Sequence, residues 1–229
     1  KTVGTNIRYN KEEIQFESLR SDISIKSIIN KQLSISKINI STKSLEINNL
    51  IKFLKLVSKE PSFYVAEQLI KKGYLIADIE VEFDENGNIK KDYVINGFLR
   101  DTKINFFNKY NLNKINFIFE AKNNEIQLKD LKLNISDINL NFPEVLILKK
   151  NKNYFVSGKL VNKITKITED KLFTLVNKEN LNFNFEEIDF SSENNFKFIF
   201  SKNFKINNFE VKSKVDLLNL KLKNEIDIK

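Results

Sequence analysis

Cysteine, histidine, methionine and tryptophan are all absent from the 229 residues, and glycine (5) and proline (2) are scarce. Without cysteine there is no disulfide framework and no thiol chemistry, so no redox compartment can be read from the chain. Lacking histidine as well, it has no usual zinc site and no Ser-His or Cys-His nucleophile pair. No motif calls for a cofactor. Long apolar runs are missing too. The longest, of which Val145 to Leu148 is one, are strand-sized, whereas a membrane-spanning helix needs roughly 20 residues, and there is no signal-peptide pattern. The lack of methionine and the opening Lys1 read as a segment of a longer polypeptide, any anchor or export signal lying outside it.

The net charge is +8, but arginine occurs only at 8, 20 and 100. The remaining basic residues are lysines interleaved with Asp and Glu, the usual signature of a solvated, edge-protected sheet. No nucleic-acid partner is expected. Attraction to an anionic membrane surface is physically open but non-specific.

What the chain does have is alternation. Over 114–142, Ile115, Phe117 and Phe119 alternate with polar residues, followed by Ile126 and Leu128, then Leu131, Leu133 and Ile135, then Ile138, Leu140 and Phe142. A period of two makes one face of a pleated sheet apolar and the other wet. The same grammar covers most of the chain after residue 74, with Lys122-Asn123-Asn124 as a turn.

Upstream, Ile7 and Tyr9, Ile14 and Phe16, Ile23 and Ile25 with Ile28 after them, Leu33 and Ile35, Ile38 and Ile40, and Leu45 and Ile47 predict short strands. A parity slip at Lys37 predicts a bulge. Residues 48–73 predict a helical hairpin. Asn48 or Asn49 caps a helix with Leu50, Phe53, Leu54 and Val57 on one side, and Glu60-Pro61 stops it. Pro61 opens a second helix carrying Phe63, Ala66, Leu69 and Ile70. Lys71 and Lys72 complement that helix's dipole, and Gly73 terminates it. The hairpin reads as a lid on one end of a sheet.

On the first long strand, Leu75, Ala77, Ile79, Val81 and Phe83 point one way while Asp78, Glu80, Glu82 and Asp84 point the other. Asn86-Gly87-Asn88 turns the chain, and Tyr93, Ile95, Gly97 and Leu99 return. Asp101-Thr102 shifts the register toward Ile104 and Phe106, and 108–113 read as a loop. Pro143 marks a strand boundary or edge. Val145 and Ile147 lead through a turn at 149–153 to Tyr154, Val156, Gly158 and Leu160. Thr168-Glu169-Asp170 starts a short helix near 169–177 that includes Leu172, Leu175 and Val176. Later sets are Leu181, Phe183 and Phe185; Ile188 and Phe190; Phe196, Phe198 and Phe200; Phe204 and Ile206; and on to Ile226 and Ile228.

The expected fold is therefore mainly β: a long, curved antiparallel meander forming an open groove, with the helical hairpin and the short helix as insertions. It divides into residues 1–73 (strands plus helical insert) and 74–229 (extended sheet), as one continuous unit. The dominance of Phe, Ile and Leu with few small residues, and the sequential order of strands, favour a trough over a sandwich. Strands of about nine residues span roughly 30 Å.

The runs LSISKINISTKSLEINNLIKFLKLV (33–57), KKGYLIADIEVEFDENGNI (71–89) and VINGFLRDTKINF (94–106) resemble the AsmA-like proteins of Gram-negative bacteria, in particular the YhdP-type and TamB-type members. Gly-Tyr-Leu at 73–75 and Asn-Gly-Phe at 96–98 open strands in the same manner. The eukaryotic bridge-like lipid-transfer proteins are similar in principle. The resemblance implies a repeating β-groove held at the inner membrane by an N-terminal helix, reaching across the periplasm and moving phospholipid toward the outer membrane. Its partners would be phospholipid or another acyl lipid, neighbouring segments of the same longer chain, and membranes at the ends of the full protein.

On that reading the lipid-facing groove consists of Leu75, Ile79, Val81, Phe83, Ile95, Leu99, Ile115, Phe117, Phe119, Leu131, Leu133, Ile135, Leu140, Val156, Leu160, Phe183, Phe185, Phe196, Phe198 and Phe200. The alternative is a structural or adhesive β-sandwich module with a self-filled core and no ligand. An enzyme is not expected. The carboxylate pairs Asp78 with Glu80 and Glu186 with Glu187 are the only candidates for acid–base work, and they read as solvated charges.

Overall fold

The computed structural model describes residues 1–9, 12–24, 35–57, 61–84, 88, 90, 93–106, 110–151, 153–175, 185–201 and 205–223. The strands are β1 (Thr2–Tyr9), β2 (Glu12–Ile23), β3 (Ile35–Thr42), β4 (Leu45–Glu46), β5 (Ile70–Glu82), β6 (Val94–Phe106), β7 (Tyr110–Lys122), β8 (Glu125–Ile135), β9 (Ile138–Lys150), β10 (Asn153–Thr168), β11 (Phe185–Phe200) and β12 (Ile206–Leu222). The helices are α1 (Ile47–Val57), α2 (Pro61–Leu69) and α3 (Glu169–Leu175).

All strands join one antiparallel sheet of 12 whose order follows the chain, with β4 set beside β5. The two outermost strands, β1 and β12, do not pair with each other, so the sheet is open and not a barrel. Among the described residues no second sheet faces it. Apart from β1, β3 and β4, the strands run longer than nine residues: β5, β6, β7 and β9 have 13, and β12 has 17. Thirteen residues extend roughly 43 Å.

At one end short turns join β7 to β8 and β9 to β10. Asn123 and Asn124 link β7 to β8. Asp84 N donates to Asn88 O, and Asn88 N donates back to the Asp84 carboxylate, both at 2.9 Å. That brackets the turn expected at 86–88, of which Asn86 and Gly87 lie outside the described residues. At the other end β8 and β9 meet through Ser136 and Asp137, both with positive φ (48° and 63°), as a two-residue hairpin turn requires. The alternation of apolar residues did not reveal that turn.

The ends of the strands differ. The register pairs Ile70 with Ile104, Leu112 with Ile135, Ile135 with Ile138, and Thr168 with Glu187. The start of β5, the end of β6, the start of β7, the end of β8, the start of β9 and the end of β10 therefore lie along one rim. All three helices sit there: α1 packs on β2, β4 and β5, α2 on α1, β5 and β6, and α3 on β10 and β11. We call this the helical rim and its opposite the turn rim.

A crease runs near the helical rim. Asp101 (φ 51°), Lys114 (51°) and Asp130 (52°) each interrupt their strand, and register shifts fall at Leu99/Thr102, Asn113/Asn116, Asn162/Thr165 and Asp189/Phe190. An inserted residue reverses side-chain parity and bends the strand, so the apolar set changes phase while staying on one face. Ile95 and Leu99 thus give way to Thr102, Leu128 to Leu131, and Val145 to Phe142. Pro143 stands opposite Asp130, between the pairs Lys129–Glu144 and Leu131–Phe142. It does not end β9. It does fall just beyond the last β9–β10 pair, Lys159–Glu144, where its missing N–H would have broken the ladder.

Other expectations need correcting. Tyr110–Asn113 belong to β7, paired with β6, and are not loop. The bulge expected at Lys37 falls one residue earlier, where Asp22 pairs with Lys37 but Ile23 with Ile35. Helix α1 begins at Ile47, so Asn48 and Asn49 are in its first turn and do not cap it; Asn48 Nδ2 instead donates to Lys71 O (3.2 Å). The most buried side chains of α1 are Ile47 and Ile51, one turn apart, which a helix read from residue 48 obscured. Gly73 lies within β5, because the chain passes directly from α2 into strand at Ile70. Lys71 still serves the helix end, its Nζ donating to Gln68 O at 2.7 Å. The division at 73/74 falls inside β5. Ile25, Ile28, Leu33, Glu60, Val176, Leu181, Phe183, Phe204, Ile226 and Ile228 lie outside the described residues.

Candidate functional site

Cross-strand partners in an antiparallel ladder share a face, so the register assigns every side chain to one side. One row reads Ile40, Ile79, Ile95, Ala121, Ile126, Ile147, Val156, Phe198; another reads Leu45, Leu75, Leu99, Phe117. The second row's neighbours continue through Phe119, Leu128, Val145, Gly158, Phe196 and Val211. Beyond the crease the same face carries Ile115, Leu131, Leu133, Ile135, Leu140 and Phe142, and at the far end Phe185. Every groove residue expected from the sequence lies on this face except Phe183, which is outside the described residues.

Two glycines shape it. A Cβ on Gly97 would come 2.5 Å from Phe119 Cζ, and one on Gly158 2.8 Å from Phe196 Cζ. Each glycine leaves its cross-strand phenylalanine room to lie over the backbone. Phe196 thereby meets Phe142 edge-on across β10, with centroids 5.9 Å apart, and stacks on Phe198 at 6.1 Å. Phe198 in turn lies 6.3 Å from Phe209. The sequence had shown Gly97 and Gly158 in phase with the apolar residues, but not the rings they admit.

Burial along the face is uneven. At the helical rim Ile14, Ile47, Ile51, Ile115, Ile138, Ile167 and Phe185 are buried. Toward the turn rim the phenylalanines and isoleucines of this face are only half-buried. On β12, Val211, Val215 and Leu217 are 50–59% exposed.

The opposite face is not uniformly wet. Ile76, Phe98 and Ile118 are cross-strand neighbours there, each exposed, and Leu148, Phe155 and Ile199 form a second short row. Around these rows, charges pair off: Lys37 with Glu80 (2.6 Å), Lys159 with Glu193 (2.8 Å) and Lys197 with Glu210 (2.8 Å). The proposed acid–base pairs are absorbed in the same way, Glu186 by Lys221 and Glu187 by Lys166, each at 2.7 Å, while Asp78 is exposed. The hydrogen bond and charge of Glu187 hold the Lys166 ammonium above its usual range. Lys159 likewise holds the Glu193 carboxyl below its own.

At the turn rim the apolar face ends in a cavity of about 200 Å³. Its floor is Ile95, Ala121, Ile126 and Ile147, and Tyr93, Tyr154 and Lys149 stand around it with the Asn123–Asn124 turn. Tyr154 and Lys149 are direct partners on the β9–β10 ladder. None of these polar residues was named as a site from sequence, since Tyr93 and Tyr154 read as part of the alternation and Lys149 as a turn residue.

Among the described residues there is no cluster of potential metal ligands and no helix long and apolar enough to cross a membrane. Comparison with protein-family models, with curated proteins and with solved structures finds no match for this chain.

Proposed function

We propose that this chain is a segment of a lipid-transport protein, and that its apolar sheet face carries phospholipid acyl chains between the inner and outer membranes of a Gram-negative bacterium. The reading rests on one observation above all: a single open sheet presents a continuous apolar face from β2 to β12, rich in phenylalanine, with no second sheet facing it among the described residues and helices packed only at its helical rim. Such a face requires a cover. Each methylene it buries is worth about 0.8 kcal/mol, so acyl tails are an adequate one. Non-directional contacts let a tail slide from strand to strand, and passage of this kind needs no catalytic group. The resemblance of 33–57, 71–89 and 94–106 to the AsmA-like proteins supports the same reading. On it the protein works in the periplasm, anchored to the inner membrane through a segment outside these residues.

The test is native mass spectrometry of protein purified from a membrane-containing host, on the native chain and on Phe117→Asp, Leu133→Asp and Phe198→Asp. The native chain should carry phospholipid, and each folded variant should carry several-fold less. A lipid-free native chain, or equal lipid in all four proteins, overturns the proposal.

A further inference from the structure

We infer that the cavity at the turn rim is a head-group subsite that holds the phosphate of a phospholipid whose tails lie on the apolar face; this rests on the lipid reading above and adds to it a specific contact. Three features converge there. The floor of Ile95, Ala121, Ile126 and Ile147 is continuous with the apolar rows through Ile79, Ile147 and Val156. Above it the side chains become amphipathic and then charged: Tyr93 and Tyr154 each give an apolar ring and a hydroxyl, and Lys149 adds an ammonium.

The charge of Lys149 is also available. Lys122 and Glu125 also border the cavity, but as ladder partners both stand on the opposite face, and Lys122 is taken by Glu120 at 2.5 Å. None of the ion pairs among the described residues involves Lys149. Its backbone N–H is committed to Asn124 O (2.8 Å), which fixes the strand end from which the side chain extends. Tyr93 reaches across to the same turn, its hydroxyl donating to Asn123 O at 3.4 Å. Tyr154 and Lys149, as direct ladder partners, carry their Cβ atoms about 5 Å apart. A phosphate over the end of the floor would accept hydrogen bonds from both while its glycerol and tails turn inward. Sequence position explains none of this, because β6, β7, β8, β9 and β10 each contribute one part.

The experiment measures binding of a fluorescently acyl-labelled phosphatidic acid against the identically labelled diacylglycerol, for the native chain, Lys149→Gln, Tyr154→Phe and the opposite-face control Lys129→Gln, with circular dichroism on each. The native chain and Lys129→Gln should favour phosphatidic acid. Lys149→Gln should lose about fivefold of that preference, the discounted worth of an exposed charge-assisted hydrogen bond, and Tyr154→Phe a smaller part, with diacylglycerol binding unchanged in both. An unaltered preference in folded Lys149→Gln overturns the subsite while leaving the groove intact. Displacement of phosphatidic acid by millimolar inorganic phosphate, with no gain from the tails, assigns the cavity to the free anion and overturns the lipid head-group role. Failure of the native chain to bind either labelled lipid removes the groove reading and the subsite with it.

Discussion

The two rims of the sheet are built from the same strands and do opposite things. At the helical rim the strands are creased, α1 sets Ile47 against Gly73 on the apolar face, and most of the buried side chains are found: Ile14, Ile47, Ile51, Thr102, Ile115, Ile138 and Phe185. Even a carboxylate is drawn in there, Glu169 being buried and ion-paired with Lys223. At the turn rim the ladders from β5 to β10 keep register, and the same apolar face is left half-open. A single-layer sheet cannot bury both faces along its whole length. This one concentrates its own packing at one end and leaves the other end uncovered. Stability and ligand contact should therefore be separable by mutation.

The largest effect is expected where α1 meets the crease. A Cβ on Gly73 would come 2.3 Å from Thr102 Oγ1 and 2.6 Å from Ile47 Cδ1, so Gly73→Val must push the helix or the strand aside. Overpacking of this kind costs about 3 kcal/mol, and Ile51→Ala costs a similar amount through the cavity it leaves. Phe119→Ala, nearer the turn rim, removes a larger side chain that is only half-buried and should cost about 1–2 kcal/mol. Urea unfolding of the three variants reads the order directly. If Phe119→Ala proves the most destabilising, the division of labour between the rims is wrong.

A middle-sized effect tests what ties the face to the crease. Thr42, at the end of β3, accepts the buried Ala77 N–H through its hydroxyl oxygen at 2.8 Å. The β3–β5 ladder ends one residue earlier, at Ser41–Asp78, so a side chain finishes what the backbone leaves. Thr42→Val keeps the shape and strands the amide, at a cost of about 1–3 kcal/mol. Thr42→Ser should recover most of it. Equal loss in both variants would mean the methyl packing, and not the hydrogen bond, is what matters.

Much of this organisation was legible before any coordinates. Alternation identified the face, and the parity change at Asp101-Thr102 was legible as a register shift; the slips from Leu128 to Leu131 and from Phe142 to Val145 also stand in the sequence, but only the ladder shows that they line up as one crease. The short helix was readable from its start at Thr168-Glu169-Asp170 and the helical hairpin from Pro61 and the break in alternation, although Asn48, Asn49 and Gly73 do not cap it. What could not be read was anything depending on strand partners. Phe119 over Gly97 and Phe142 against Phe196 join residues far apart in sequence. The turn-rim cavity draws on five strands, and although the turn expected at 149–153 brings Lys149 back beside Tyr154, no local pattern joins them to Tyr93, Ile95 or Ile126. The apolar row Ile76, Phe98 and Ile118 was hidden for a related reason, since the residues two away from each, on the same face of its own strand, are Tyr74 and Asp78, Asn96 and Arg100, or Asn116 and Glu120, and the three become a row only across the ladder.

The smallest effect belongs to the exposed charges near the turn rim. The hydrogen bond and proximity of Lys122 lower the Glu120 carboxyl below its usual range, and Glu120 raises the Lys122 ammonium above its own. The signs follow from linkage. The carboxylate's contribution is complete above its unfolded value and fades as pH falls through the lowered folded value. The ammonium's is complete below its unfolded value and fades as pH rises through the raised one. Both groups are open to solvent, so the pair is screened and weak. Glu120→Gln should narrow the acid side of the stability profile only slightly, and in about 1 M salt, where the Debye length is near 3 Å, the difference should vanish. A large, salt-resistant loss in urea melts of Glu120→Gln would show that the turn rim carries structural weight, and would dissolve the contrast between the two ends.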